Sequence, residues 1–395
     1  MSLGSLTSLV LLAAAALLAL LAIHPYVTYP LSLRLLARFR RRPIHRGTAF
    51  GKVAICVCAY NEERVIADKI RNLIDMRQAV PNLDILLYVD AASDGTAEIV
   101  TELAEDIRVV FSPTRSGKSH GMNLLVTMTD ADYIVFTDAN VTFSQDALPR
   151  LLAPFADPEV GCVCGHLIYT GDRAAATAAT GSFYWRLEEQ IKELESACGS
   201  VMGADGSIFA IRRALHRPPP PDLIDDMFVS LSVLSAGARI VRAGDAIAYE
   251  EAVSRPAEEF RRKIRIACQA FNVHRALRGD LRRLSFLDTY KYVSHKLVRW
   301  LTIYLLGGSA LCLLAGLATA SGWFALLLGI GAASVCALVL ALSRSGPLAK
   351  VRDILAAFVA TGIGVWRSLQ GDRFQTWNPP SSARGASPHG SVLPS

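Results

Sequence analysis

Two kinds of hydrophobic pattern alternate along the 395-residue chain. From Leu3 to Ile23 no side chain is charged, and the same holds for residues 301–319 and 322–343, which the turn-prone Ser321 and Gly322 separate. A charge-free helix of about 20 residues crosses a hydrocarbon core of ~30 Å. The pattern therefore predicts one N-terminal transmembrane helix and a helical hairpin near the C-terminus. Residues 354–366 form a shorter apolar piece, for which an interfacial or re-entrant segment competes with a true span. Between these ends the rhythm changes. Short β-branched runs, Val53 to Ala59, Leu83 to Val89, Ile107 to Phe111 and Tyr133 to Phe136, alternate with segments of helical spacing such as Val65, Ile70, Leu73 and Ile74, or Met122, Leu125 and Val126. This alternation predicts an α/β domain, a doubly wound and mostly parallel sheet with helices on both faces, whose ligands sit beyond the carboxyl ends of its strands.

Composition agrees, since 52% hydrophobic and 19% charged residues with a mean hydropathy of +0.32 exclude both an ordinary soluble domain and extended disorder. The net charge of +6 hides an asymmetry that sharpens the picture. Residues 34–46 carry six Arg and no acid, residues 255–300 twelve basic against four acidic side chains, and residues 344–395 six against two. Residues 47–254 are left with 17 basic and 29 acidic side chains, so an acidic body is flanked by basic collars. Arg34, Arg38, Arg40, Arg41 and Arg42 follow the first apolar run. That order disfavours a cleavable signal peptide and holds the downstream side in the cytoplasm. The expected organisation is an anchor and collar (1–46), a cytoplasmic domain (47–254), a basic interface region (255–300), a transmembrane hairpin (301–343) and a membrane-proximal tail (344–395), multi-pass in the cell inner membrane.

Within residues 256–284, Phe260, Ile264, Ala267, Phe271 and Leu277 recur at helical spacing while Arg261, Arg262, Lys263 and Arg265 gather elsewhere. A membrane-surface helix is the expectation, and a core helix with a solvated basic face is its alternative. Cations beside apolar spans, with an acidic body between them, argue against nucleic acid as a partner. The pairs Cys56/Cys58 and Cys162/Cys164 lie in strand-like runs and read as small buried residues rather than metal thiolates, with no disulfide framework in a reducing compartment.

Four polar clusters fall where strands end: Tyr60-Asn61-Glu62-Glu63; Asp90 with Ser93-Asp94-Gly95-Thr96; Arg115 to Lys118 with Asn123; and Thr137-Asp138-Ala139-Asn140. Asp94 or Thr96 can equally cap the next helix. Asp90 is a lone carboxylate delivered by an apolar strand to the ligand edge, suited to a ribose hydroxyl or a base edge. Lys118 sits at a helix start, but Ser112 stands where a phosphate-binding P-loop needs Gly, so a cation facing a diphosphate is the better reading. Asp138 and Asn140 at one-residue spacing on a turn offer hard oxygen ligands to a divalent ion, or form a plain Asx turn. Asp225 and Asp226 follow the stiff run Pro218 to Pro221 at a helix start. They can serve as dipole partners there, or one of the two close carboxyls can have its pKa raised and act as a base.

Taken in order, these segments together with Arg262-Lys263-Ile264-Arg265 resemble the inverting family 2 glycosyltransferases of GT-A fold, in the membrane-bound branch that includes cellulose, chitin and hyaluronan synthases. The resemblance spans roughly residues 50–300. It implies that Asp90, with the Tyr60, Asn61 and Glu62 turn and Asp94 beside it, binds the nucleoside of a nucleotide sugar, expected to be a UDP-sugar. Lys118, Asn123, Arg262 and Arg265 would serve the same substrate. Asp138 and Asn140 would hold Mg²⁺ or Mn²⁺, with Asn140 standing where the family's DxD motif has its second acid. Asp226 would be the general base, with Asp225 beside it. Of the family's QxxRW motif only Arg265 is kept, Arg262 and Ile266 replacing its Gln and Trp. Trp377, Pro379 and Arg384 resemble a tail motif that approaches the site in some relatives. The implied activity is sugar transfer to a glycan acceptor in polysaccharide synthesis; transfer of a single sugar to a lipid acceptor, or a catalytically idle membrane assembly subunit, are the alternatives. Three or four spans are few for a self-contained pore, which leaves room for a homo-oligomer or an export partner.

Overall fold

The run Val53–Ala59, here β1, lies inside an eight-stranded sheet, and its alternation explains why. Val53, Ile55, Val57 and Ala59 pack into one hydrophobic cluster while Ala54 and Cys56 pack into the cluster on the other face. A strand covered on both sides has no need of a polar face. The computed structural model describes residues 3–48, 51–170, 174–251, 256–343 and 346–376. Helices α1 (Leu3–Ile23) and α2 (Thr28–Phe39) precede β1. Then come α3 (Ile66–Asp75), β2 (Leu83–Asp90), α4 (Thr96–Glu102), β3 (Arg108–Ser112), α5 (Lys118–Thr127), β4 (Tyr133–Asp138), β5 (Val141–Phe143), α6 (Ala147–Leu152), β6 (Val160–Thr170) and α7 (Ala174–Ala197). The remainder is β7 (Ile208–Arg212), α8 (Asp225–Ser235), β8 (Arg239–Glu251), α9 (Pro256–Ala276), α10 (Arg278–Leu281), α11 (Phe286–Tyr292), α12 (Val298–Leu342) and α13 (Gly346–Gln370).

The strand order is β3-β2-β1-β4-β7-β6-β8-β5. Its first four strands are parallel, the doubly wound block expected from the β/α alternation, and β6 pairs parallel with β8. β7 is antiparallel to both β4 and β6, and β5 to β8. The order reverses at β1, so the carboxyl ends of β1, β2 and β4 open onto one crevice, where α/β sheets bind ligands. Cys56, Cys162 and Cys164 are buried packing residues of the strands, and burial pushes the Cys56 thiol up, as expected for structural rather than reactive cysteines.

Three long helical limbs stand away from this domain. Helix α1 packs along the first limb of α12, where Ser8 Oγ donates to the Gly316 carbonyl (3.0 Å) and Ser309 Oγ to that of Ala15 (2.8 Å). At Gly322 (φ 76°) α12 breaks, and Gly329 of the second limb returns to within van der Waals reach of Leu314. Large apolar side chains cover the outside of these limbs, among them Leu17, Leu20, Leu311, Trp323, Phe324 and Leu338, all more than half exposed. A buried polar seam ties them to the domain. His295, in a π-helical turn at Val293–Leu297, lies between Glu195 (2.7 Å) and Glu188 (3.0 Å) of α7, Tyr29 of α2 donates to Glu195, and Lys291 donates to the Ser200 carbonyl (2.7 Å).

One expectation changes. The apolar side of α9, assigned above to a membrane surface, packs inside the protein: Phe271 and Leu277 join the hydrophobic core, and Gly364 of α13 closes against Ile264 and Ala267. Amphipathic periodicity does not distinguish lipid from a protein neighbour. Residues 354–366 belong to the 25-residue helix α13, which lies on α9 and is pinned there by Ser368 donating to Asn272 (2.6 Å). Two collar cations pair with the protein itself, Arg42 with Glu159 and Arg46 with Asp245 of the acidic body. Trp377, Pro379 and Arg384 lie outside the described residues.

Candidate active site

Carboxylates gather at the crevice because several strands and helices end there. Asp138 is the last residue of β4, Asp225 and Asp226 are the first two of α8, and Lys118 opens α5. The Lys118 ammonium sits 2.7 Å from Asp138 and 3.2 Å from Asp225, on a side chain only 13% exposed. One buried cation thus bridges the two acidic motifs. Burial followed by the Asp225 charge raises Asp226 from its ordinary value to about 7, while Lys118 pulls the other way. A carboxylate at that pKa is suited to accept a proton near neutrality. Gly206 lies beside it, where a Cβ would stand 3.0 Å from Asp226 Oδ2 and press on the carboxylate.

The Pro-rich stretch is what places this acid pair. Ser119 Oγ and Asn123 Nδ2, both on α5, donate to the carbonyls of Leu223 (2.7 Å) and Pro219 (2.8 Å). Asn123, expected to contact substrate, therefore spends its amide N–H on the loop and acts as a brace. Asp94 is engaged by the backbone in a similar way. Its carboxylate accepts from the backbone N–H of Thr96 (3.1 Å) and of Glu63 (3.3 Å), the helix-start role that was its alternative reading.

Asp90, buried at the end of β2, accepts the N–H groups of Ser116 (2.7 Å) and Gly117 (2.9 Å), which shapes the loop leading into Lys118. Gly117 adopts φ +89° and the Gln375 carbonyl occupies the space a side chain would need. Beside this loop the Arg115 guanidinium stacks 3.4 Å above the Tyr60 ring. Asn61, itself at φ 53°, accepts from Ser93 N (2.8 Å), and the Glu62 N–H donates to Thr96 Oγ1 (2.8 Å). Tyr60, Asn61, Glu62 and Asp90 thus form one wall, and the Asp138 turn with the α8 acids forms another.

The turn between β4 and β5 carries Asp138 and Asn140. Asp138 is 38% exposed and reachable from the crevice, while Asn140 Nδ2 donates to Glu250 Oε1 at 3.1 Å, leaving its carbonyl oxygen as the free acceptor. A carboxylate and an amide oxygen on one turn fit a hard divalent ion. Among the described residues no group of three or more His, Cys, Asp or Glu side chains converges on a metal position, so such an ion would complete its shell from phosphate oxygens and water. Arg262 pairs with Glu259 on its own helix (2.8 Å) and Arg265 lies close enough to Asp138 to feel its charge, so α9 brings both cations to this side of the crevice.

Sequence reasoning missed three contributors. Lys69 is fully buried beneath the turn, donating to Thr137 Oγ1 (3.1 Å) and the Val141 carbonyl (2.6 Å), and burial lowers it to about 7. Its signal was present, a lysine on the buried Ile66, Ile70, Leu73 stripe of α3. Gly206 left no periodic trace. Glu250 is the last residue but one of β8, and burial and then Asp138 raise it to about 7.

Comparison with known proteins agrees with this geometry. Residues 54–218 match the family model described as glycosyl transferase family 2. The O-antigen chain rhamnosyltransferase RfbN of Salmonella typhimurium is 26% identical over 206 residues, which is 48% of this chain and 65% of the relative. The poly-beta-1,6-N-acetyl-D-glucosamine synthase of Staphylococcus aureus is 26% identical over 117 residues, 29% of this chain and 28% of the relative. In fold the chain is similar to the mannosyltransferase PcManGT from Pyrobaculum calidifontis, solved with GDP-Man and Mn²⁺, at a TM-score of 0.67 and 22% identity over 91% of this chain and 99% of that one. The chain therefore contains a family 2 glycosyltransferase domain, and that domain has the GT-A fold.

Proposed function

We propose that this protein is a membrane-anchored, inverting glycosyltransferase that uses a divalent metal to move a sugar from a nucleoside-diphosphate sugar to a glycan acceptor. The observation that carries the reading is the convergence on Lys118 of Asp138 and Asp225, with the proton-accepting Asp226 alongside. An acceptor hydroxyl is a weak nucleophile until a positioned carboxylate takes its proton. Asp226 is that carboxylate. Attack from its side, opposite the leaving diphosphate, inverts the anomeric carbon. Asp138 and Asn140 would hold Mg²⁺ or Mn²⁺, which when bound neutralises charge developing on the leaving group. Lys118, Arg262 and Arg265 supply further positive charge to the same oxygens. Asp90 and the Tyr60 to Glu62 turn shape the nucleoside end.

Anchoring rests on the limbs. Ser5–Ile23 and Phe286–Phe324 are long and apolar enough to cross a membrane, and their outward faces are apolar. The basic collars support a cytoplasmic side for the domain. The solved neighbour bound to GDP-Man and Mn²⁺, and relatives named as an O-antigen rhamnosyltransferase and a polysaccharide synthase, support a nucleotide-sugar donor and a surface-glycan product. Ile266 in place of the QxxRW tryptophan favours a second reading, transfer of one sugar to a lipid acceptor. The test is incubation of full-length protein in nanodiscs with Mn²⁺, labelled UDP- and GDP-sugars, and glycan and lipid acceptors, followed by NMR of the product. An inverted anomeric linkage is expected; retention of configuration, or no transfer to either acceptor, would refute the reading, and product length separates its two forms.

A further inference from the structure

The metal-binding turn is one negative charge short, because Asn140 stands where a second acid is expected. We propose that Glu250 is the positioning residue that makes good this deficit, fixing the Asn140 amide with its carbonyl toward the cation and returning the missing carboxylate to the site from β8. The inference rests on the metal use proposed above.

Three observations carry it. An amide is ambiguous as a ligand: its oxygen attracts a cation and its NH₂ repels one, and only its hydrogen-bond partners decide which end faces the site. Here Glu250 Oε1 accepts from Asn140 Nδ2 at 3.1 Å, so the NH₂ is engaged by the acid and the carbonyl oxygen is the end left for a cation. Second, the partner is rigid. Glu250 pairs across the sheet with Val141, the residue after Asn140, and on its other side with Tyr169 of β6. The turn and the acid are therefore held by the same ladder. Third, among the described residues Glu250 forms no ion pair, although the charges of Arg262 and Lys118 reach it from the same side of the crevice. A side chain kept only to close the sheet edge would have no need to be an acid in this half-buried place, since a carboxylate drawn from water is costly unless it serves a cation or a donor. Outer partners of metal ligands commonly set both ligand orientation and site charge.

The test is Mn²⁺ titration of the full-length protein in detergent, followed by the EPR signal of free Mn²⁺, with the metal alone and with GDP or UDP present. Glu250→Gln keeps size and shape but removes the carboxylate charge, and because its amide can present either its oxygen or its NH₂, it no longer fixes which end of Asn140 faces the site. Mn²⁺ affinity is expected to fall about 10- to 100-fold, while the unfolding temperature in EDTA holds. Joining it to Asn140→Asp, which moves the carboxylate back to the turn, is expected to restore affinity to within about threefold, a rescue that a purely structural role for Glu250 does not produce. Unchanged Mn²⁺ affinity in Glu250→Gln, or a double variant no better than the single, overturns the inference alone. Absence of Mn²⁺ binding by the wild-type protein, alone or with either nucleotide, overturns the metal reading and this inference with it.

Discussion

Replacing Asp226 with Asn should cost activity and gain stability, and the same physical fact predicts both. Asp226 is raised from 3.8 to about 7 by burial and by its neighbour Asp225. A group whose folded pKa exceeds its unfolded one favours folding while protonated, and that contribution is lost as pH climbs from the unfolded value through the folded one. A displacement of about three pH units corresponds to about 4 kcal/mol, fully withdrawn by pH 8, of which about 2–3 kcal/mol goes between pH 5 and pH 8. Asn carries no such titration. The unfolding temperature of Asp226→Asn should therefore rise relative to wild type as pH goes from 5 to 8. Turnover of nucleotide sugar should meanwhile fall about 10²- to 10⁴-fold, the usual contribution of a general base. Thermal unfolding in detergent across that pH range, beside nucleoside-diphosphate release at pH 7.5, reads both. A variant that keeps more than a tenth of wild-type turnover refutes Asp226 as the base. A pH trend in unfolding identical to wild type refutes the origin assigned to its reactivity.

Two other substitutions probe the surroundings of that acid. Lys118 holds Asp226 down, so Lys118→Met should move the acidic limb of kcat/KM above pH 7 as well as lowering its plateau; a limb that stays in place contradicts the bridge between the acidic motifs. Gly117→Ala puts a Cβ into positive φ and against the Gln375 carbonyl, and should lower unfolding stability by about 1–3 kcal/mol; unchanged stability would mean the C-terminal segment does not lie on this loop.

The sheet was legible because its information is local. β1 is apolar throughout and β4 is apolar as far as Phe136, the signature of strands buried on both faces; Tyr60 follows the first at the crevice and Asp138 ends the second. The acids at 138, 225 and 226 stood out for the same reason. What escaped depends on distant partners. Asn123 looked like a ligand-facing residue until its partner proved to be the Pro219 carbonyl, and nothing in the sequence near Glu250 points to its partner Asn140, 110 positions earlier. Lys69 was recoverable, since a lysine in an apolar stripe is costly unless something receives it. Phe271 and Leu277 show the converse limit: a helical stripe records that a face is covered, and α13 and the domain core cover it here.

The central claim is that the Asp138, Asn140, Asp226 and Lys118 constellation turns over a nucleotide sugar with a divalent metal. Its most direct test is nucleoside-diphosphate release by full-length protein in nanodiscs from a panel of UDP- and GDP-sugars, with Mn²⁺ and with EDTA, for wild type and Asp138→Ala. Release from at least one donor that requires Mn²⁺ and falls at least 100-fold in Asp138→Ala is the predicted result. Release that persists in EDTA or survives Asp138→Ala, or none from any donor with Mn²⁺ present, would contradict the account.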